Sequence, residues 1–467
     1  MKFLNNSAAN QFLMVTSASL LIVSFGTSCG WPSFSFLILE STDTPLKSGP
    51  LTTEELSWIV SIFCFGGVAG NVLFGWLVDK LSRKHILYVL AIPQILSWIL
   101  ILFAQNAIYL YASRLLVGIT GAGGYLIVPI IVAEVSEDRV RGMLNSILPL
   151  ACNGGILMAF VIGNFFDYET VSQILLTIPI LYLILITTFP ETPSYLLSIN
   201  RSEDAEKSLK YYRNVKGKSQ MNKSFCDEFY ELQKKYSRKS EGDLKAAVTW
   251  KWRDFTPKAP RKALFIAIMI IGINECCGAF ILVSYTATIF ATSGSVLSPN
   301  LSAVIVGLIQ FIGTYISTIY IERSGRKFLL TLSCVGAGVG NFCLGTYMYL
   351  NSMEKYDLSE LAWIPVVSFS IIVLLASIGL IPISFAYVAE IMPEKLRGVG
   401  IAIAFAMSWI IGFGILKYFA ILSALLGMHS CILFFSLCSF MGAFFVIFVI
   451  PETMGRSFDE IQRKLEL

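Results

Sequence analysis

The sequence predicts an all-α membrane protein, with twelve transmembrane helices in two pseudo-symmetric six-helix bundles. Three observations predict this. The chain is too poor in charge to cover itself in water, its apolar residues fall into twelve long blocks, and three short charged motifs occur twice in the same order. Of 467 residues, 55% are hydrophobic and 14% charged, with mean hydropathy +0.70. A soluble domain carries about 25% charged residues.

The apolar blocks lie near 11–38, 56–78, 86–105, 108–133, 143–166, 171–189, 263–291, 300–321, 328–350, 361–389, 399–424 and 430–450. A helical span needs about 20 such residues, and a backbone in lipid must satisfy its own hydrogen bonds. Outer-membrane strands would be about 10 residues long and alternating, which these are not. The first block is not expected to be a cleaved signal peptide, since only Lys2 supplies an n-region charge and the apolar run is too long. Pro129, Pro149, Pro179 and Pro382 are expected to interrupt their spans. Gly26/Gly30, Gly66/Gly70 and Gly336/Gly340 have the spacing of close helix contacts.

Basic residues set the expected orientation. Lys80, Arg83 and Lys84 follow span two, Arg139 and Arg141 span four, Arg326 and Lys327 span eight, and Lys395 and Arg397 span ten. The region 191–262 is rich in Lys and Arg, whereas the opposite loops carry Glu40, Asp43, Glu54, Glu55, Asp167 and Glu169. Both termini and the middle loop are therefore expected to be cytoplasmic. Ala205, Leu209 and Tyr212, then Phe225, Phe229, Leu232 and Tyr236, follow helical spacing. They predict short amphipathic helices within a linker over 191–262, between bundles over 1–190 and 263–467, with 237–247 as loose linker.

The duplication is direct. LVDKLSRK (Leu77 to Lys84) is matched by YIERSGRK (Tyr320 to Lys327), VAEVSEDRVRG (Val132 to Gly142) by VAEIMPEKLRG (Val388 to Gly398), and PETPS (Pro190 to Ser194) by PETMG (Pro451 to Gly455). Each pair lies after corresponding spans, so the two halves share one orientation. Glu134 and Arg141 stand seven apart, as do Glu390 and Arg397. Asp79 with Arg83 and Lys84 is mirrored by Glu322 with Arg323, Arg326 and Lys327. Such ion pairs are expected to bridge the halves as a breakable gate, since exposed pairs are each weak. Glu191 and Glu452, in the PET motifs, join the same set.

Other chemistries lack support. The ten cysteines show no metal or disulfide spacing, and Cys276-Cys277 reads as small packing residues. His85 and His429 are far apart. VKGKS around Lys218 lacks the upstream glycine of a phosphate loop. No nucleophile–base set, cofactor motif or metal site is expected, and no nucleic-acid partner; the protein is not read as an enzyme.

The architecture resembles the major facilitator superfamily, and the doubled motifs resemble its sugar-porter branch, over about residues 11–465. The resemblance implies a central cavity, alternating access and a gating role for the cytoplasmic motifs. Here the first copy departs from the usual pattern, with Lys80 for arginine, Ser82 for glycine and Ser194 for a terminal arginine. Hexose carriers of the branch hold sugar hydroxyls with neutral amides and an aromatic ring, and their helix seven carries a run like Q-Q-x-S-G-x-N. The matching run here is Asn274-Glu275-Cys276-Cys277-Gly278-Ala279-Phe280, with Tyr285 following. The resemblance further implies substrate contacts at Asn153, Gln310, Phe385, Ser408 and Trp409. Pro149 in ILPLACNGGIL, the run IIGFGILKYF and PETMGRSFDEI are similar to the insect facilitated trehalose transporter group.

These features lead to an expected facilitative sugar uniporter, carrying trehalose or a hexose. It is expected to sit in the plasma membrane as a monomer among lipid, with a sugar or polyol as its small-molecule partner. The run Gln11 to Leu39 holds no Asp, Glu, Lys, Arg or His, whereas proton-coupled relatives carry an acid there. Glu275 keeps a proton-coupled or non-sugar carrier open, because an intramembrane carboxylate is costly, and an ion pair with Lys417 is conceivable. A non-transporting nutrient sensor is the third reading, opposed by the short tail after Glu452. Arg114 has no assigned role. Asn300 begins a glycosylation sequon on the expected outer side; Asn5 begins another on the inner side and is discounted.

Overall fold

The computed structural model describes residues 8–215, 223–238, 252–321, 324–353, 358–456 and 458–466. The Asn5 sequon, Glu322, Arg323 and most of 237–247 lie outside them. The first half comprises α1 (Ala9–Leu39), α2 (Thr53–Leu77), α3 (Arg83–Leu102), α4 (Ala107–Val135), α5 (Asp138–Asn145), α6 (Ile147–Phe165) and α7 (Tyr168–Thr187). Three short helices follow, α8 (Pro193–Ser198), α9 (Ser202–Tyr212) and α10 (Lys223–Arg238). The second half comprises α11 (Lys258–Cys276), α12 (Ala279–Ser284), α13 (Thr286–Ser293), α14 (Pro299–Tyr320), α15 (Arg326–Ser352), α16 (Ile364–Leu375), α17 (Ile381–Ile391), α18 (Arg397–Leu426) and α19 (Met428–Val449), with α20 (Phe458–Glu466) at the end. Among the described residues, twelve segments are long and apolar enough to cross a membrane, with α5–α6, α11–α12 and α16–α17 each forming one.

Local chemistry sets the helix starts. Thr52 and Glu55 form a reciprocal capping box at α2. Side chains of Ser82, Asn106, Asp167 and Ser298 accept amides at the starts of α3, α4, α7 and α14. The burial of Ala205, Leu209 and Tyr212 holds α9 to the bundle. Phe229, Leu232 and Tyr236 of α10 pack on Leu196, Leu197 and Ala205.

Two expected breaks are absent. The helix α4 runs unbroken through Pro129 and α7 through Pro179, because neighbouring helices leave the displaced carbonyls tolerable in lipid. Pro149 falls in the first turn of α6, where its missing N–H has no helical partner to lose. Pro382 follows a π-helical turn, Ala376–Leu380, joining α16 to α17. The sharp break is elsewhere: Gly278, at φ +83°, ends α11 and starts α12. A Cβ there would meet the Phe435 ring at 2.6 Å, so both backbone angle and packing require glycine.

Small residues let the helices of each half touch backbone to backbone. A Cβ on Gly66 would fall on the carbonyl oxygen of Leu115 in α4, one on Gly26 on that of Cys152 in α6, and one on Gly340 2.9 Å from that of Ser368 in α16, while one on Gly336 would meet the Leu375 side chain.

The hydrogen bonds and ring contacts that cross between the halves lie from mid-membrane toward the acidic face, the end bearing Glu40 and Asp167. There the Ala287 amide donates to Ser33 Oγ at 3.1 Å, and Phe36 packs edge-on to Tyr285 at 5.7 Å. Toward the opposite, basic face, α18 from Arg397 to Ile411 buries only Gly400 and Ala404, as a helix does when one side meets lipid and another a cavity.

Gly66→Ala should therefore destabilise the purified protein by about 1–3 kcal/mol, visible as a lower melting temperature. Gly75→Ala, where nothing lies within 4 Å of the new carbon, should be neutral or slightly stabilising. Equal effects at the two positions would refute the backbone-contact account.

Candidate functional site

The break in the seventh span creates the site's first wall. With α11 ending at Cys276, the Cys277 carbonyl has lost its helical partner and accepts from Asn341 Nδ2 at 3.0 Å. Cys277 is buried and turns its Sγ to the Asn274 carbonyl at 3.0 Å, a packing role. Glu275, on the last turn of α11, is 7% exposed. Its Oε1 accepts from Ser408 Oγ of α18 at 2.6 Å. Its Oε2 lies beside Gly412: a Cβ on that glycine would be 3.5 Å from the oxygen and 3.7 Å from Cys64 Sγ of α2.

A polar bridge joins the halves across the second wall. Gln310 Nε2 of α14 donates to Asn153 Oδ1 of α6 at 2.8 Å, and Asn153 Nδ2 donates to Thr314 Oγ1 at 2.7 Å. Thr314 Oγ1 in turn donates to the Gln310 carbonyl at 3.0 Å. The structure thus brings together Asn153 and Gln310, and separately Asn274, Glu275 and Ser408.

Aromatic rings fill the seam. Phe63 of α2 meets the edge of Trp409 at 5.2 Å and stacks on Phe280 at 6.1 Å. The Trp409 ring lies where a side chain on Gly67 would be. Toward the acidic face, Tyr285 packs on Phe36 and on Phe419 at 4.9 Å. These three rings help line a cavity of about 440 Å³ that also touches Glu40, Thr53, Asn351 and His429. Phe385 stacks on Phe405 of α18 at 4.5 Å, one turn from Trp409.

Several buried polar atoms in these walls have no protein partner: Asn274 Oδ1, Gln310 Oε1, Trp409 Nε1 and the Tyr285 hydroxyl. An unsatisfied buried polar atom costs about 1–3 kcal/mol, so a ligand that supplied the missing hydrogen-bonding groups would gain that energy.

Lys417 is not the counter-ion of Glu275. It stands nine residues beyond Ser408, the hydroxyl partner of Glu275 on α18, about 13 Å on at 1.5 Å per residue. It donates to Ser57 Oγ at 2.9 Å and lies 4.0 Å from the Trp58 ring centroid, which ties α18 to α2 near the acidic face.

The doubled motifs form two clamps on the basic face, each closed within its own half. Arg83 binds Glu134 at 2.9 Å, and Thr192 Oγ1 donates to the same carboxylate at 2.6 Å. Glu191 accepts the Lys84 and Thr192 amides at 3.2 and 3.0 Å. The second half repeats this: Arg326 binds Glu390 at 3.2 Å, Thr453 Oγ1 donates to Glu390 at 2.5 Å, and Glu452 accepts the Arg326 and Lys327 amides at 3.0 and 3.1 Å. The expectation that these pairs bridge the halves does not match this arrangement. Arg141 pairs with Asp138 at 2.7 Å instead of reaching Glu134, because the chain turns at Ser136 and α5 carries Arg141 away from the end of α4. Asp79 is exposed and shows no ion pair among the described residues, and Arg397 opens α18.

Arg114 acquires a place. It is 2% exposed, donates to the Ser28 and Ile59 carbonyls, and faces the rings of Trp31 and Phe63 at 6.0 and 5.5 Å. It thereby pins α1 and α2 to α4. Asn300 lies in the first turn of α14 with the Ser302 side chain buried, an arrangement unlike an extended glycan acceptor. Sequence reading missed Phe63, Gly67, Thr314, Thr192 and Thr453. For the threonines a signal existed, since PET occurs twice; for Phe63 and Gly67 there was none, because their role depends on a ring from the other half.

A family profile described as "Sugar (and other) transporter" matches residues 7–465. A facilitated trehalose transporter Tret1 from Polypedilum vanderplanki is 32% identical over 454 residues, covering 97% of this chain and 87% of that protein. One from Anopheles gambiae is 32% identical over 458 residues, but the chain spans only 56% of that relative's length. The inward-open structure of the xylose transporter XylE from E. coli superposes with a TM-score of 0.79 at 19% identity, covering 97% of this chain and 99% of that one. At that identity the likeness carries the fold.

The clamps predict an acid response. Burial alone would raise the Glu452 carboxyl, but the amides of Met454, Arg326, Lys327 and Thr453 outweigh it and hold the group below the usual glutamate value. Its stabilisation is complete above the ordinary glutamate range and is lost as pH falls through the lowered value. Between about pH 5 and pH 3, the melting temperature of the parent should fall more steeply than that of Glu452→Gln, which should start lower at pH 7. Parallel acid slopes would contradict the clamp.

Proposed function

Because the chain belongs to the sugar (and other) transporter family, we propose that it is a facilitative sugar uniporter working by alternating access, with trehalose or a hexose as its solute. The observation that carries this reading is the set of unpartnered polar atoms, Asn274 Oδ1, Gln310 Oε1 and Trp409 Nε1, beside the Phe63, Phe280 and Trp409 rings. Hydroxyls satisfy the former and the apolar face of a sugar ring suits the latter. The basic face is cytoplasmic by the positive-inside rule. The protein works in the plasma membrane as a monomer, with one pathway per chain. In this orientation the Phe36–Tyr285, Tyr285–Phe419 and Lys417–Ser57 contacts lie on the outer side of the seam.

Transport requires the seam to open and close. The Asn153–Gln310–Thr314 bridge breaks as the solute takes over its amides, so binding and opening share the same atoms. The clamps at Glu134/Glu191 and Glu390/Glu452 make each half a stiff body during the rocking motion and serve as the gating network. Passive operation is supported by the first span, whose stretch from Gln11 to Leu39 holds no Asp, Glu, Lys, Arg or His, and by Arg114, whose described hydrogen bonds go to carbonyl oxygens.

One observation favours a second reading. Glu275 is a buried carboxylate with no ion pair among the described residues, the arrangement expected of a proton carrier.

Purified protein in liposomes should show saturable uptake of labelled trehalose or glucose that needs no proton gradient. Gln310→Ala should lower the uptake efficiency about tenfold or more, the size of one lost buried hydrogen bond. An absence of saturable flux for trehalose, hexoses and polyols would overturn the uniporter. Flux through the parent that follows the proton gradient, and flux through Glu275→Gln that ignores it, would establish the second reading.

A further inference from the structure

The carboxylate of Glu275 is more than a substitute for a neutral amide, and the groups around it specify a ligand. Its Oε1 is oriented by Ser408 at 2.6 Å, so the carboxylate is held rather than free to rotate. Its Oε2 faces the space that Gly412 leaves beside Cys64. Ser408 adjoins Trp409, whose ring meets Phe63, and Phe63 stacks in turn on Phe280. The same short stretch of seam therefore offers a fixed anion and three aromatic rings. A ring face attracts a cation by about 0.5–2 kcal/mol, most strongly when water is excluded.

Among the described residues no basic side chain pairs with this carboxyl group. Lys417 is engaged with Ser57 and Trp58 a good distance along α18. Arg114 has its guanidinium 5.5 Å from the Phe63 centroid and bonded to the carbonyls of Ser28 and Ile59. The flanking groups Cys64 and Cys277 carry no positive charge. Two of the unpartnered atoms in the walls, Asn274 Oδ1 and Gln310 Oε1, are acceptors, and both residues are at least nine-tenths buried. Acceptors, an anion and ring faces together call for a ligand rich in donors that carries a positive charge.

We propose that the site selects a hydroxylated solute bearing a protonated amine, of the amino-sugar type, with Glu275 as the ammonium partner. This rests on the sugar-carrier reading and narrows its substrate class. The ammonium sits at Glu275 Oε2 on the Trp409 side of the seam, and the hydroxyls reach Asn274 and Gln310. A neutral hexose fills the same space but leaves the carboxylate without its counter-charge, which is a penalty in a buried site.

The test uses the full chain in liposomes at pH 7, with labelled D-glucosamine, D-glucose and N-acetyl-D-glucosamine as probes. The parent should prefer glucosamine over glucose about tenfold in uptake efficiency, the size of one ionic or ring contact. The N-acetyl compound, which keeps the shape and loses the charge, should behave like glucose or worse. Glu275→Gln should abolish the preference, bringing the ratio of glucosamine to glucose uptake efficiency down to about one. Glu275→Asp, which keeps the charge on a shorter arm, should retain part of it and controls for misfolding. Efficient glucose or trehalose flux with no advantage for glucosamine would overturn this inference and leave the sugar-carrier reading standing. A preference that survives Glu275→Gln would also overturn it. Saturable flux for none of the probes or trehalose would overturn both.

Discussion

Carboxylates that must be neutralised at a membrane surface set the plan of this protein. Glu134 and Glu390 each take an arginine and a threonine hydroxyl from elsewhere in their own half. Glu191 and Glu452 each take backbone amides at the start of a helix, where the N–H groups are unsatisfied and the helix dipole favours an anion. Each clamp ties the start of one span, the end of another and the loop after a third into one unit. The strong charges are thus satisfied inside each half.

What remains between the halves is weaker and more easily exchanged. The Gln310–Asn153–Thr314 bridge is neutral, and the Phe63, Phe280 and Trp409 contacts are apolar. Lys417 reaches across to Ser57, but its partner is a hydroxyl and a ring, not a carboxylate. Neutral hydrogen bonds contribute only about 0.5–1.5 kcal/mol net, so the seam separates at a cost that solute binding can offset. The break at Gly278 serves the same end. It frees the outer part of span seven, where Phe280 and Tyr285 stand, from the direction of α11, which carries Glu275.

Much of this was legible in the sequence, for physical reasons. Lipid imposes length and hydropathy on each span, so twelve segments could be counted directly, and the doubled motifs fixed the six-plus-six arrangement. The amides at Asn153 and Gln310 were found from the resemblance, and the structure joins them. Pairing was harder. Glu134 and Arg141 invite a match at seven residues, yet a turn at Ser136 intervenes and Arg83, fifty-one residues away in sequence, takes the place. Proline also misled: in water it breaks helices, whereas in a packed bundle α4 and α7 continue through it, and the break falls at a glycine whose neighbour Phe435 is distant in sequence. Contacts set by the other half, such as Trp409 over Gly67, leave no local trace.

The central claim is that each half, closed on its own charges, moves as one body about a weak seam. Distances between spin labels test it most directly, with one pair across the halves at Gly75 and Gly398, where an added side chain meets nothing within 4 Å. A second pair within the first half, at Gly75 and the exposed Ser198, serves as the reference. The cross-half distribution should hold two populations whose ratio responds to solute, while the reference distribution stays single and fixed. A reference distance that shifts as far as the cross-half distance would contradict the account.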